Sequence, residues 1–217
     1  MTTHTPDYLD AIEHLPEGET LMLEDVSWEE YEQLLEDLGD DYSANIFYDR
    51  GRLIIMSPSS SHEMYAELIQ DMARVIADHM DIVLESRGST TFKRKRQQGA
   101  EPDTCFYIQN ASRIIGKRRI DLATDPPPDV VVEIDVSHDS TDKFEFYASI
   151  GVPEIWRYDE HRAQIFHLRD QTFIEMPSSR AFPIVTSDAL TRFLDQSKTE
   201  GQSAALKSFR HWVRSQS

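Results

Sequence analysis

Two carboxylates, Glu133 and Asp135, stand inside a run that is otherwise Val130, Val131, Val132, Ile134 and Val136, directly after the prolines at 126 to 128. The prolines cannot continue a helix or donate to an inner ladder, and a continuous β-branched run reads as a strand covered on both faces. Burying an isolated carboxylate costs far more than one hydrogen bond returns, so these acids need a partner. Spaced two apart, they point to the same face of a pleated strand, where one cation answers both. Upstream, Glu101, Pro102 and Asp103 precede an apolar strand, Cys105 to Ile108. A carboxylate at the mouth of one strand and another inside its neighbour hold a hard divalent cation through oxygen. Downstream, Lys143 opens a segment, 143–150, that reads as a helix turning Phe144, Tyr147 and Ala148 inward.

The order Pro102-Asp103, Glu133, Lys143 comes with the flanking segments PPDVVVEI, KFEFYASIGVPEIWRYD, GRLIIMSPSSSHE and GSTTFKR. Together these resemble the Uma-two family of putative restriction endonucleases, within the PD-(D/E)XK nuclease superfamily, over roughly residues 46–166. The resemblance implies an α/β fold, a restriction-endonuclease-like central mixed β-sheet flanked by helices, and a metal-dependent endonuclease acting on DNA. It assigns catalysis to Asp103, Glu133 and Lys143. The superfamily pattern places its lysine two residues after the glutamate, where this chain has Asp135, so Lys143 stands as a migrated lysine supplied by the following helix. Asp103 and Glu133, with the main-chain carbonyl of Ile134, would hold Mg²⁺ or Mn²⁺, which keeps several waters and needs few protein ligands. Glu101, Asp135, His62, Glu63 and Glu67 are auxiliary candidates, Asp135 for a second metal, as partner of Lys143, or as a structural partner to a nearby base. Partly on the same resemblance, Trp156, Phe173 and the Trp212 helix suggest a homodimer.

The rest of the chain must position these residues. At 217 residues it can build one sizeable core, and it has no apolar span of about 20 residues and no cleavable signal. The single Cys105 excludes an internal disulfide framework, so the expectation is a soluble, cytoplasmic protein with no membrane partner. The chain divides into residues 1–45, an acidic arm and helix, a core at 46–176 that the resemblance implies is nuclease-like, and a helical extension at 177–217 that covers the core or a partner subunit. The formal net charge of -17 opposes nucleic-acid binding, but residues 1–50 alone hold 15 Asp and Glu against Arg50. Residues 93–119 carry a local excess of base, and Lys93, Arg94, Lys95 and Arg96 are its candidate phosphate contacts.

Residues 27–38 read as a helix, with a Ser27 and Glu30 capping box and Gly39 as the stop, after a first 20 residues without periodicity that read as an irregular arm. Strands at 46–48 and 53–56, joined through Asp49, Arg50 and Gly51, make an antiparallel entry to the sheet. Ser60 and Glu63 cap a helix to about 79 that brings His62 to a cleft. Strands follow at 81–86 and 90–95 around Arg87-Gly88, then a turn at 97–100. A strand at 154–158, a hairpin of 163–168 with 172–176, and helices at 187–194 and 202–213 complete the chain.

Two other functions fit parts of this pattern. A nuclease-fold module that binds nucleic acid without turnover would keep the fold, and a glycosidase would use paired carboxylates without a metal or lysine. Zinc is not expected, because the His residues include no short ligand pair and one cysteine cannot build a thiolate site.

Overall fold

The computed structural model describes residues 5–39, 42, 44–94, 96–136 and 139–216. In order come α1 (Thr5–Glu13), β1 (Thr20–Leu23), α2 (Trp28–Leu38), β2 (Asn45–Asp49), β3 (Arg52–Met56) and the long helix α3 (Ser60–Met80). Next are β4 (Glu85–Ser86), β5 (Phe92–Arg94), β6 (Gln98–Ala100), β7 (Thr104–Tyr107) and the single turn α4 (Ala111–Ile114). β8 (Val130–Ile134), α5 (Phe144–Ile150), β9 (Glu154–Tyr158), β10 (Ala163–Arg169), β11 (Thr172–Met176), α6 (Ser187–Glu200) and α7 (Gln202–Arg214) close the chain. Two compact units result, Met1–Ser60 with Thr91–Glu101, and Ser61–Thr90 with Pro102–Ser217. The sequence boundaries at 45/46 and 176/177 follow the resemblance and the element pattern, whereas this division follows two sheets. No described helix is long and apolar enough to cross a membrane.

The first unit is built on an antiparallel sheet ordered β1-β3-β2-β6-β5. α2 starts where Ser27 accepts from the Glu30 amide while the Glu30 carboxylate accepts from the Ser27 amide, the reciprocal cap read from the sequence. Its buried residues Trp28, Tyr31 and Leu34 share a core with Ile46, Tyr48, Leu53 and Ile55. Three expectations change here. The arm contains α1, which sends Tyr8, Leu9 and Ile12 to that core, and β1, which pairs with β3. The turn at 97–100 contains strand β6, which lies against α2: a Cβ at Gly99 would sit 2.1 Å from the Tyr31 hydroxyl, so only glycine permits the approach. β2 and β3 enter this sheet rather than the one that holds Glu133.

The second unit carries a six-stranded sheet ordered β11-β10-β9-β8-β7-β4, mixed because β8 and β9 run parallel while the other pairs are antiparallel. A parallel pair needs a crossover, and α5 lies in that connection. Alternation along β8 sends Val130, Val132 and Ile134 to a core with Leu68, Ile69, Met72 and Ile76 of α3, Trp156 of β9 and Phe193 of α6. Glu133 is left to the other face, where it meets Tyr147 of α5. The strands expected as a pair at 81–86 and 90–95 shrink to β4 and β5 and lie in different sheets. The link between them is tied by side chains instead, with the Arg87 guanidinium donating to the distant carbonyls of Ile114 and Lys117 and the Thr90 hydroxyl to that of Arg87.

Candidate active site

β7 and β8 are antiparallel neighbours with Thr104 opposite Val132, so Asp103, one residue before β7, comes level with Glu133 near the end of β8. The Ile134 amide donates to Asp103 Oδ2 at 2.6 Å, and His62 Nε2, from the first turn of α3, is 3.1 Å from the same oxygen. Burial works to lower the His62 pKa, but the hydrogen bond to Asp103 and its charge outweigh it and hold the imidazole above its ordinary value.

Glu133 is 1% exposed. Its Oε2 accepts from Lys143 Nζ at 2.8 Å and its Oε1 from the Tyr147 hydroxyl. Burial pushes the Glu133 carboxyl up to about 8; Lys143 pulls the other way, and the charge of Asp103 adds to the rise. Burial likewise works to lower the Lys143 pKa, and the charges of Glu133 and Asp103 reverse it. The lysine therefore stays an ammonium inside the protein, between two acids. It reaches Glu133 from a 3-10 turn, Ser140–Lys143, that runs straight into α5.

Asp135 lies one residue past β8 and takes neither Lys143 nor a place beside Asp103. It accepts from the Arg157 guanidinium on β9 and from the Ser140 amide and hydroxyl at 3.1 and 3.2 Å. Arg157 also lies 3.3 Å from Asp139, whose carboxylate accepts from the Thr141 amide. These bonds clasp the connection that delivers Lys143. Register explains the choice of partner: Arg157 is opposite Glu133 in the parallel pair, so its side chain rises on the same face, next to Asp135. Sequence reasoning named Asp135 but missed Arg157, which only the pairing of β8 with β9 reveals. It also gave Tyr147 a packing role, without the bond to Glu133.

Glu101 belongs to the first unit, where it accepts from the Tyr42 and Thr91 hydroxyls and from the Ile46 amide at 3.1 Å. That makes it an anchor of the first sheet. Glu63 and Glu67 are exposed on α3; the charge of Glu63 acts on His62, while no bond among the described residues ties Glu67 to the site. Of the basic candidates, Lys93 lies 3.8 Å from Glu32 and over the Tyr31 ring, Arg94 and Arg96 are exposed, and Lys95 lies outside the described residues.

Asp103 and Glu133 offer hard oxygen donors in a buried setting where the charge of Asp103 raises the cost of charging Glu133, and a dication would relieve that repulsion. Among the described residues no group of three or more His, Cys, Asp or Glu is arranged around a common point. Hard carboxylate oxygens are the ligands that a magnesium-type ion retaining several waters takes.

A family model described as a putative restriction endonuclease, Uma2, matches residues 28–191. A search of curated proteins finds no match. Among solved structures, the crystal structure of a putative nuclease belonging to DUF820 from Anabaena variabilis ATCC 29413 is similar at TM-score 0.52 and 16% identity, over 78% of this chain and 99% of that one. At that identity the likeness concerns the fold.

Proposed function

The chain belongs to the Uma-two family, and from that premise we propose that it is a metal-dependent endonuclease hydrolysing phosphodiester bonds of DNA. The observation that carries the proposal is the ammonium of Lys143, held 2.8 Å from Glu133 on the strand paired with that of Asp103. Asp103 and Glu133, with the Ile134 carbonyl, would hold Mg²⁺ or Mn²⁺. When bound, such an ion supplies Lewis-acid stabilisation of the charge developing on the phosphate and acidifies water.

The chain's own residues do the rest. The Ile134 amide and His62 fix one Asp103 oxygen, so the carboxylate cannot swing away. Tyr147 fixes one Glu133 oxygen from the opposite side. Lys143 holds an ammonium where the reacting phosphate would lie, orienting the attacking water and offsetting charge on the phosphoryl oxygens in a site of low dielectric. Its migration past Asp135 is made good by the Arg157 clasp, which returns the lysine to Glu133 from ten residues downstream.

A nuclease fold that binds nucleic acid without turnover is the second reading. On its side is the fact that both carboxylates already have protein donors. Incubating the protein with plasmid, linear duplex and single-stranded substrates in Mg²⁺, Mn²⁺ or EDTA, beside Asp103→Ala, separates the two. Metal-dependent cleavage lost in the variant supports the nuclease, and retention of all substrates intact with measurable binding supports the module.

The homodimer has a narrower basis than the sequence suggested. Trp156 is 1% exposed, Trp212 packs on Phe193 and Phe209, and Phe173 packs on Phe144, all within one chain. Ile174 on the edge strand β11 remains exposed, and a second copy would pair there.

A further inference from the structure

Helix α7 is one of a few stretches that carry base and no acid in a chain whose net charge is -17. From Gly201 to the end of the sequence there is no Asp or Glu, while Lys207, Arg210, His211 and Arg214 are all present. Their spacing of three, four and seven residues puts them on one face of the helix, and all four are exposed. Among the described residues, Lys207, Arg210 and Arg214 have no ion-pair partner. A merely solvated helix face interleaves its signs, as α6 does with Asp188, Arg192, Asp195, Lys198 and Glu200, where Lys198 lies 2.7 Å from Asp195. α7 has nothing of the kind.

We propose that this face of α7 is a docking stripe for the phosphodiester backbone of nucleic acid, which it grips by charge and without reading sequence. Naming nucleic acid as the occupant rests on the nuclease reading above. The stripe itself rests on the helix. Two of its three permanent cations are arginines, whose planar fork matches phosphate oxygens. Beside it, α7 and the C-terminal half of α3 enclose a cleft of about 410 Å³ lined by Arg74, His79, Arg210 and Arg214 together with Asp71 and Asp78. Arg210 and Arg214 thus face both solvent and that recess, in which Arg74 already pairs with Asp71 at 3.1 Å. The same helix α3 carries His62 at its other end. At 1.5 Å per residue the 17 residues from His62 to His79 cover roughly 25 Å, about seven base pairs of a duplex at 3.4 Å each. A substrate engaged at Asp103 and Glu133 has the length to reach the stripe. An anionic membrane is a poorer match, because a surface-lying helix must offer an apolar face. That face of α7 is already spent, with Phe209 and Val213 buried in the core beside Phe193.

The test measures binding of a fluorescent 30-base-pair duplex by anisotropy across a salt series in EDTA, with the full chain and with Lys207→Gln/Arg210→Gln/Arg214→Gln. All three side chains are exposed, so the variant should melt with the wild type. The expected result is an affinity at least tenfold weaker and a salt slope shallower by up to ~3, from about 0.9 per lost phosphate contact. Wild-type binding with an unchanged slope and affinity in the variant overturns the stripe and leaves the nuclease reading standing. Failure of the wild type to bind duplex at the lowest salt overturns the stripe and removes support from the nuclease reading as well, which the cleavage panel then decides independently. Binding to vesicles containing phosphatidylserine in preference to the duplex also overturns it.

Discussion

Replacing Glu133 by Gln removes one ionisable proton from the most deeply buried acid of the site and leaves its shape nearly unchanged. The carboxyl is pushed up to about 8 in the folded chain from an ordinary 4.5, first by burial. A group whose folded pKa is raised contributes stability that is fully present below its unfolded pKa and is lost as pH rises through the folded value. For Glu133 that window runs from about pH 4.5 to about pH 8. Inside it the folded state binds more protons than the unfolded state, so stability falls as pH rises, on the order of 1 kcal/mol per pH unit. Glu133→Gln stays neutral and escapes this loss. In EDTA, urea denaturation at pH 5, 6, 7 and 8 should show the wild type losing stability as pH rises and the variant, in which the Lys143 ammonium has lost its carboxylate partner, following a flatter curve whatever its offset. Adding Mg²⁺ should stabilise only the wild type, more strongly as pH rises, because binding requires the carboxylate and displaces its proton. Parallel stability curves for the two proteins across the four pH values would refute the buried, proton-holding Glu133.

Arg157→Met should destabilise the protein by about 3 kcal/mol, since it strands Asp135, whose side chain is 4% exposed, without its cation; denaturation at pH 7 measures this, and Asp135→Asn in the same background should recover part of the loss. Gly99→Ala should cost more than 1 kcal/mol by overpacking, because the new methyl would lie 2.1 Å from the Tyr31 hydroxyl, and a melting curve beside the wild type checks it.

Much of this site was legible in the sequence because its signals are local. The prolines at 126 to 128 and the β-branched run after them mark β8 with an acid inside it, and the Ser27 and Glu30 box marks the start of α2 to the residue. His62 was placed near the cleft by its position in the first turn of α3, and it lies against Asp103. What the sequence hid depends on pairing between distant segments. Arg157 becomes the partner of Asp135 only once β8 runs parallel to β9, and nothing in either strand alone announces that register. Glu101 looked like a site acid because it is two residues from Asp103, yet it turns to Tyr42, Ile46 and Thr91. The division into two sheets was invisible for the same reason, since β4 and β5 carry ordinary strand residues and differ only in which neighbour they find. α1 had a readable signal, Tyr8, Leu9 and Ile12 at helical spacing, diluted by the acids around it.

The proposed chemistry stands or falls on Lys143, the one member of the set that departs from the superfamily spacing. The most direct measurement is single-turnover cleavage of duplex DNA by Lys143→Ala in Mg²⁺, run beside the wild type and paired with the Mg²⁺-induced shift in melting temperature of each protein. With its ammonium gone from beside Glu133, the variant should cleave roughly 10² to 10³-fold more slowly, the scale of removing one preorganised stabilising group. Its melting shift should persist or grow, because a positive charge next to the dication has been removed. A variant that cleaves at the wild-type rate would contradict the assignment of Lys143 and with it the site proposed here.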